Sequence, residues 1–218
     1  MLRDNLARVE ERIARAAARC RRRRDQILVL AVTKKFPPTT MRQAWELGLR
    51  EFGENYVQEF ERKRPELDDL AGARFHLIGH LQSNKARKAA ELFDCVQTVD
   101  TAKLAERLSQ AKPMEVMIEV KLSPEQAKAG ARPEEVPALV ESIRAMPALR
   151  LRGLMTMPPW SDNGEDSRPY FARLRELAEK CGLAELSMGM SHDLEAAIEE
   201  GATCLRIGRA LFGPRPKP

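Results

Sequence analysis

Leu28-Val29-Leu30-Ala31-Val32-Thr33-Lys34-Lys35-Phe36-Pro37 is the stretch that decides the fold. Its first half is a short apolar run, the pattern of a strand buried on both faces. Its second half is a turn without glycine. An open doubly wound sheet needs a glycine-rich phosphate turn after its first strand. The Lys34-Lys35 turn therefore counts against that competitor. Outward from here, apolar runs recur at Glu51–Gly53, Phe75–Gly79, Cys95–Val99, Val116–Val120, Leu151–Met157, Leu186–Met190 and Cys204–Ile207. Together with Ile27–Thr33 they give eight predicted strands.

Helix signals fill the intervals. Pro37 and Pro38 precede Met41–Leu47, and Ser83 precedes a Lys- and Ala-rich stretch. Asp100 is the expected N-cap of Thr101–Gln110. Pro133 opens Glu134–Ala145 as a first-turn proline. Ser191 precedes Asp193–Glu200, which stops at Gly201. Before the first strand, Leu2, Leu6, Val9, Ile13, Ala16 and Cys20 recur at helical spacing. Strict alternation of strand and helix implies a parallel sheet. Eight such units in 218 residues, a little under the usual ~250, predict a closed α/β barrel. The expectation is a single (β/α)8 TIM-type barrel spanning residues 1–218 as one domain. The chain stops soon after the eighth strand, so the extra N-terminal helix is expected to cover the place of the last one.

Composition narrows the function classes. Hydrophobic residues make up 43% and charged residues 32%, as in a globular protein with a sizeable core. No apolar run reaches the roughly 20 residues of a membrane span, and the first 24 residues lack a secretory apolar block. No membrane association is expected. Cys20, Cys95, Cys181 and Cys204 lie far apart, with no CxxC pair and no histidine at metal-ligand spacing, which suggests reduced cytoplasmic thiols and no metal site. The net charge of +5 is concentrated in Arg19-Cys20-Arg21-Arg22-Arg23-Arg24. A helix C-terminus accommodates such a run. A nucleic-acid patch is the competing reading, but no accompanying RNA-binding motif supports it.

Barrels place their sites at the C-terminal ends of the strands. Lys34, Asn55, His80, Gln82 and Met157 fall there, as do Ser187-Met188-Gly189-Met190-Ser191 and Arg206-Ile207-Gly208. A lysine at the end of a buried strand is costly to charge, and a neutral amine can form a Schiff base. Lys35 is the decoy, since strand alternation sends only one of the two inward. The Ser187–Ser191 stretch leads into a helix, and Arg206 and Gly208 lie one strand later. That pair of strand ends suits a phosphate.

These segments carry a resemblance. Ala31-Val32-Thr33-Lys34, Phe52-Gly53-Glu54-Asn55-Tyr56-Val57-Gln58-Glu59 and His76-Leu77-Ile78-Gly79-His80-Leu81-Gln82-Ser83-Asn84-Lys85 occur in that order. Gly153-Leu154-Met155, Leu186-Ser187-Met188-Gly189-Met190-Ser191 and Arg206-Ile207-Gly208 follow. The set resembles the pyridoxal phosphate homeostasis proteins, single-barrel relatives of the alanine racemase N-terminal domain. The resemblance implies pyridoxal 5'-phosphate (PLP) as cofactor, held as an aldimine on Lys34. It implies that Ser191, Gly208 and Arg209, with backbone amides near Met190, hold the phosphate. Ser187 and Gly189 belong to the same turn. It places Arg206 by the pyridine nitrogen, Asn55 and His80 along the ring pocket, and Met157 on the ring. Lys128 matches a second family lysine, a candidate transient acceptor beside the plain reading of a solvated loop residue. His192, directly after Ser191, and a short Pro158–Asp166 loop depart from the family pattern.

The implied role is cofactor buffering or delivery by a cytoplasmic monomer, with apo PLP-dependent enzymes as partners and no catalysis of its own. The alternative is a PLP-dependent racemase or other PLP enzyme. That needs an acid–base group on each face of the cofactor, and Tyr56 and Tyr170, the two tyrosines, are not expected at strand ends.

Overall fold

The computed structural model describes residues 1–123 and 129–215. Eight strands run parallel in sequence order and close on themselves. They are β1 (Leu28–Val32), β2 (Glu51–Glu54), β3 (Arg74–Leu77), β4 (Cys95–Val99), β5 (Met114–Glu119), β6 (Leu149–Met155), β7 (Glu185–Ser187) and β8 (Cys204–Ile207). Closure is made by β1 on β8, with Leu28 opposite Cys204 and Ala31 opposite Ile207. The predicted barrel is the observed one. The strand ends coincide at β4 and β8 and elsewhere differ by at most three residues, most at β7.

Seven helices fill the crossovers: α2 (Pro38–Glu46), α3 (Val57–Lys63), α4 (Ala86–Leu92), α5 (Ala102–Ser109), α6 (Val136–Arg144), α7 (Arg168–Lys180) and α8 (Leu194–Glu199). After β8 there is a single turn, α9 (Arg209–Phe212). The N-terminal helix α1 (Leu2–Arg19) packs on α8 and α9, burying Val9, Ile13, Ala16 and Ala17. Full burial of a Val or Ile side chain is worth about 1.5–3 kcal/mol, so this stripe is enough to hold the helix. Arg12 bonds both carboxylate oxygens of Glu195, and Asn5 donates to the Leu211 carbonyl at 2.7 Å.

The arginine run ends α1 and is occupied internally. Arg19 pairs with Glu199, Arg22 donates to the Ile198 carbonyl, Arg23 pairs with Asp25 and Arg24 with Glu10. Two caps differ from expectation. Thr101, not Asp100, caps α5, its hydroxyl accepting from the Leu104 amide. Ser191 does not cap α8, which begins three residues later.

Alternation divides the strands between two cores. Val29, Ala31, Phe52, Leu205 and Ile207 face the helices. Leu30, Val32, Ile78 and Cys204 form a small separate cluster inside the barrel. Polar and charged side chains share the interior with this cluster. At the strand starts Glu51, Arg74, Glu115, Arg152 and Glu185 form a chain of ion pairs. Arg152 is the extra residue of a β6 bulge, since Val116 opposes Leu151 but Met117 opposes Gly153. Among the described residues, no helix is long and apolar enough to cross a membrane.

Candidate functional site

Lys34 stands in the turn after β1, so strand alternation does not separate it from Lys35. The turn does. Lys35 takes a left-handed conformation (φ 66°) and is exposed, whereas Lys34 is half-buried. Residues outside the turn hold it in place. Thr33 donates its hydroxyl to Glu54 Oε1 at 2.8 Å, and Lys63 Nζ bonds the Thr33 carbonyl at 3.1 Å. Lys63 also pairs with Glu54 and Glu59, and Glu59 accepts the Lys35 amide. Burial lowers the Lys34 ammonium to about 8, helped by the cations of Arg215, Lys35 and Arg206 and opposed by Glu54. At neutral pH a pKa near 8 leaves on the order of a tenth of the amine uncharged, against a few in ten thousand for an ordinary lysine. That makes Lys34 a usable nucleophile.

Arg206 lies in the interior below this turn, 3% exposed. It donates to Ser187 Oγ at 2.8 Å and to the Thr156 carbonyl at 2.7 Å. Ser187 passes the chain on to Gln97 Oε1 at 2.6 Å. Gln97 Nε2 meets His76 Nδ1 at 3.1 Å, and His76 Nε2 meets Glu51 at 2.5 Å. Arginine only donates and a carboxylate only accepts. The two ends therefore fix the direction of every bond between them, with His76 protonated on Nε2. The sequence placed Ser187 in the phosphate turn. Here its hydroxyl is taken up inside the barrel by Arg206 and Gln97.

The loops after β7 and β8 meet through Ser191, whose Oγ accepts the Ala210 amide at 3.1 Å. Gly208 and Arg209 begin α9 beside it. The Met190 amide donates to Asp193 Oδ1 at 2.6 Å, so it is already engaged. The two glycines separate cleanly. Gly189 has φ 90°, and a Cβ there would sit 2.4 Å from Ala197 Cβ, so packing and backbone both require glycine. At Gly208 a Cβ would meet Val32 at an ordinary 3.4 Å. Packing does not demand glycine there.

The opposite wall holds Asn55, His80 and Met157. The Asn55 amide oxygen is buried without a partner among the described residues. His80 and Met157 line a cavity of about 570 Å³ together with Asp100, Glu119, Lys121 and Ser123. Glu119 is 5% exposed, with Oε2 unpartnered. Burial pushes its carboxyl up to about 7, with Arg206 acting against this and Asp100 with it. Sequence reading missed Glu119 inside an apolar run, and it assigned Asp100 to a cap. Tyr56 lies two residues beyond β2 and is 50% exposed, so it stands at the mouth end after all. Tyr170 lies on α7. Lys128 falls outside the described residues.

A second cavity, about 620 Å³, opens at the other end of the barrel among Glu51, Arg74, Arg152 and Glu185. It is separated from Lys34 by the height of the strands.

Comparison with known proteins agrees with this architecture. Residues 5–216 match the alanine racemase N-terminal domain family. The chain is 48% identical to a pyridoxal phosphate homeostasis protein of Pseudomonas aeruginosa, over 97% of this chain and 95% of that one. It is 40% identical to that of Aquifex aeolicus, over 97% of each. The solved structure of PipY from Synechococcus elongatus, with PLP bound, superposes with a TM-score of 0.87 at 36% identity, covering 98% of this chain and all of that one. By full-length identity to two named members, this chain belongs to the pyridoxal phosphate homeostasis protein family.

Proposed function

We propose that the chain binds PLP at the barrel mouth through a covalent bond to Lys34, and that it buffers or delivers the cofactor without turning over a substrate. The observation that carries this reading is the Lys34 amine, lowered to about 8 chiefly by burial and next by the Arg215 cation. PLP supplies an aldehyde that condenses reversibly with a primary amine. The residues present fit the group. Ser191, Gly208 and Arg209 are assigned to its phosphate, where a glycine not required by packing lets the anion approach the backbone. The unpartnered Asn55 amide oxygen offers a hydrogen-bond acceptor to the ring substituents, and His80 and Met157 flank the ring.

Arg206 is assigned to the pyridine nitrogen. A guanidinium there opposes protonation of the ring and weakens the electron sink that PLP enzymes exploit, which favours a carrier over a racemase. The relatives named above are called homeostasis proteins, in line with this. Four free cysteines suit the reducing cytoplasm, where apo PLP-dependent enzymes are the proposed recipients of cofactor from a monomeric carrier.

The test is near-visible absorbance of wild type and Lys34→Ala after PLP addition, before and after borohydride. The expected wild type is yellow and, once reduced, keeps PLP on a peptide containing Lys34, while the variant stays colourless. A wild type that never takes up PLP overturns the reading.

A further inference from the structure

Both sequence neighbours of Lys34 are held by one hub of charged side chains. On one side Lys63 Nζ donates to the Thr33 carbonyl at 3.1 Å, and the Thr33 hydroxyl donates to Glu54 Oε1 at 2.8 Å. On the other the Lys35 amide donates to Glu59 Oε1 at 2.5 Å. Lys63 joins the two, 2.9 Å from Glu54 Oε1 and 2.6 Å from Glu59 Oε1. Lys63 is 7% exposed and Glu54 is fully buried. Glu54 Oε2 has no hydrogen-bond partner among the described residues. We propose that Lys63, Glu54 and Glu59 are positioning residues for Lys34: the hub clamps its turn from both sides, and Glu54 serves as counterion to the resting Lys34 ammonium. The inference rests on the function proposed above and deepens it, because it names what readies the amine for the cofactor.

The charges within the hub do not cancel. Two carboxylates share the Lys63 ammonium, which leaves one negative charge over. Glu59 reaches water and Glu54 does not, so the excess weighs most on Glu54, where a buried charge is costly unless paired. Thr33 and Lys63 both bond the same oxygen of Glu54, Oε1. Lys34 is a cation that supplies the balance, and Glu54 favours its charged form. Burial works the other way, as do Arg215 beyond α9, Lys35 next to it and Arg206 on β8. Glu54 is acted on in turn from α3 and from the turn after β1. Burial raises its carboxyl and Glu59 adds to that, while Lys63 and Thr33 oppose it.

Lys34 bonds an aldehyde only as the neutral amine. Its ammonium first gives one proton to solvent. The nitrogen then bonds the aldehyde carbon, and its two remaining hydrogens leave with the carbonyl oxygen as water. Hydrolysis reverses each step, and no oxidant or reductant enters. Glu54 opposes the first step and favours its reversal, so it sets the pH at which the cofactor is taken up. Lys63 fixes where the nitrogen stands.

The test uses full-length protein, wild type, Glu54→Gln, Lys63→Met and Lys63→Arg. Acetylation of Lys34 by acetic anhydride is followed against pH in PLP-free protein, on the peptide that contains Lys34. PLP uptake is followed by near-visible absorbance at about pH 9.5, where an amine of pKa about 8 is almost wholly neutral. Glu54→Gln keeps an oxygen for Thr33 and Lys63 but loses the charge. Its acetylation midpoint should move down by about half a pH unit, which is about threefold in rate at neutral pH. A merely structural role predicts the reverse, because a loosened and solvated Lys34 returns toward an ordinary lysine. A midpoint that rises or stays overturns the counterion. Lys63→Met should slow PLP uptake severalfold even where Lys34 is already neutral, and Lys63→Arg should restore it. Uptake by Lys63→Met at the wild-type rate overturns the clamp. Should Lys63→Met fail to fold, the direction of the Glu54→Gln midpoint decides the proposal. A wild type that takes up no PLP sinks the functional reading instead, and acetylation of the PLP-free proteins then judges the hub alone.

Discussion

The two ends of the barrel hold cavities of similar size, about 620 Å³ at the floor and about 570 Å³ at the mouth, yet they are built on opposite terms. At the floor Glu51, Arg74, Glu115, Arg152 and Glu185 each meet an opposite charge. Arg74 bridges Glu51 and Glu115, and Arg152 bridges Glu115 and Glu185. Burial works against the Glu115 carboxylate, but the bonds from Arg74 and Arg152 hold it below the ordinary carboxylate range. At the mouth Asn55, Glu119 and Ser123 leave buried polar atoms unpaired, and Lys34 and Glu119 are pushed toward their neutral forms. Space alone does not mark a binding site. Unmet hydrogen-bonding capacity does.

The comparison breaks if the floor matters to the ligand or the mouth to the fold. The largest effect should come from Glu115→Ala, which strands two arginines. A loss of about 2–4 kcal/mol is expected by urea unfolding, while PLP uptake by the folded fraction is unchanged. Glu119→Gln should act in the other direction. Its folded-state pKa lies above the unfolded value, so the native state keeps a proton that the unfolded chain has lost. Stability therefore falls as pH rises from about 4.5 through 7. The variant should shrink the stability difference between pH 4 and pH 8 by about 1–3 kcal/mol. A variant with the wild-type pH profile would mean that Glu119 is solvated. The smallest stability effect is expected for Gly208→Ala, within about 0.5 kcal/mol. PLP affinity should nevertheless drop about tenfold, seen by absorbance titration. Unchanged affinity would remove Gly208 from the phosphate site.

The barrel itself was legible because strand and helix alternate without interruption, and because parallel strands bring Lys34, Asn55, His80, Met157, Ser191 and Gly208 to one end. What lay inside was not legible. Glu51, Arg74, Glu115, Arg152 and Glu185 are spread over most of the chain, and only the register brings them together. A signal was nevertheless present, since each is a charge at or near the start of an apolar run. Arg152 points inward because of a bulge that periodicity does not reveal. Ser187 and Met190 kept their places in sequence, but Arg206 and Asp193 had already taken their hydrogen-bonding groups. Asp100 followed the statistics of capping, yet its neighbour Thr101 had the geometry to cap.

The closure of β1 on β8, sealed outside by α1 against α8 and α9, also sets an order of events. A ribosome delivers α1 and β1 well before their partners, residues 194–212. Until those residues emerge, the apolar stripe of α1 has no native surface to cover, and β1 keeps one open edge. The ring cannot shut until β8 has been made. The mouth, assembled from both ends of the chain, is therefore among the last parts of the molecule to exist.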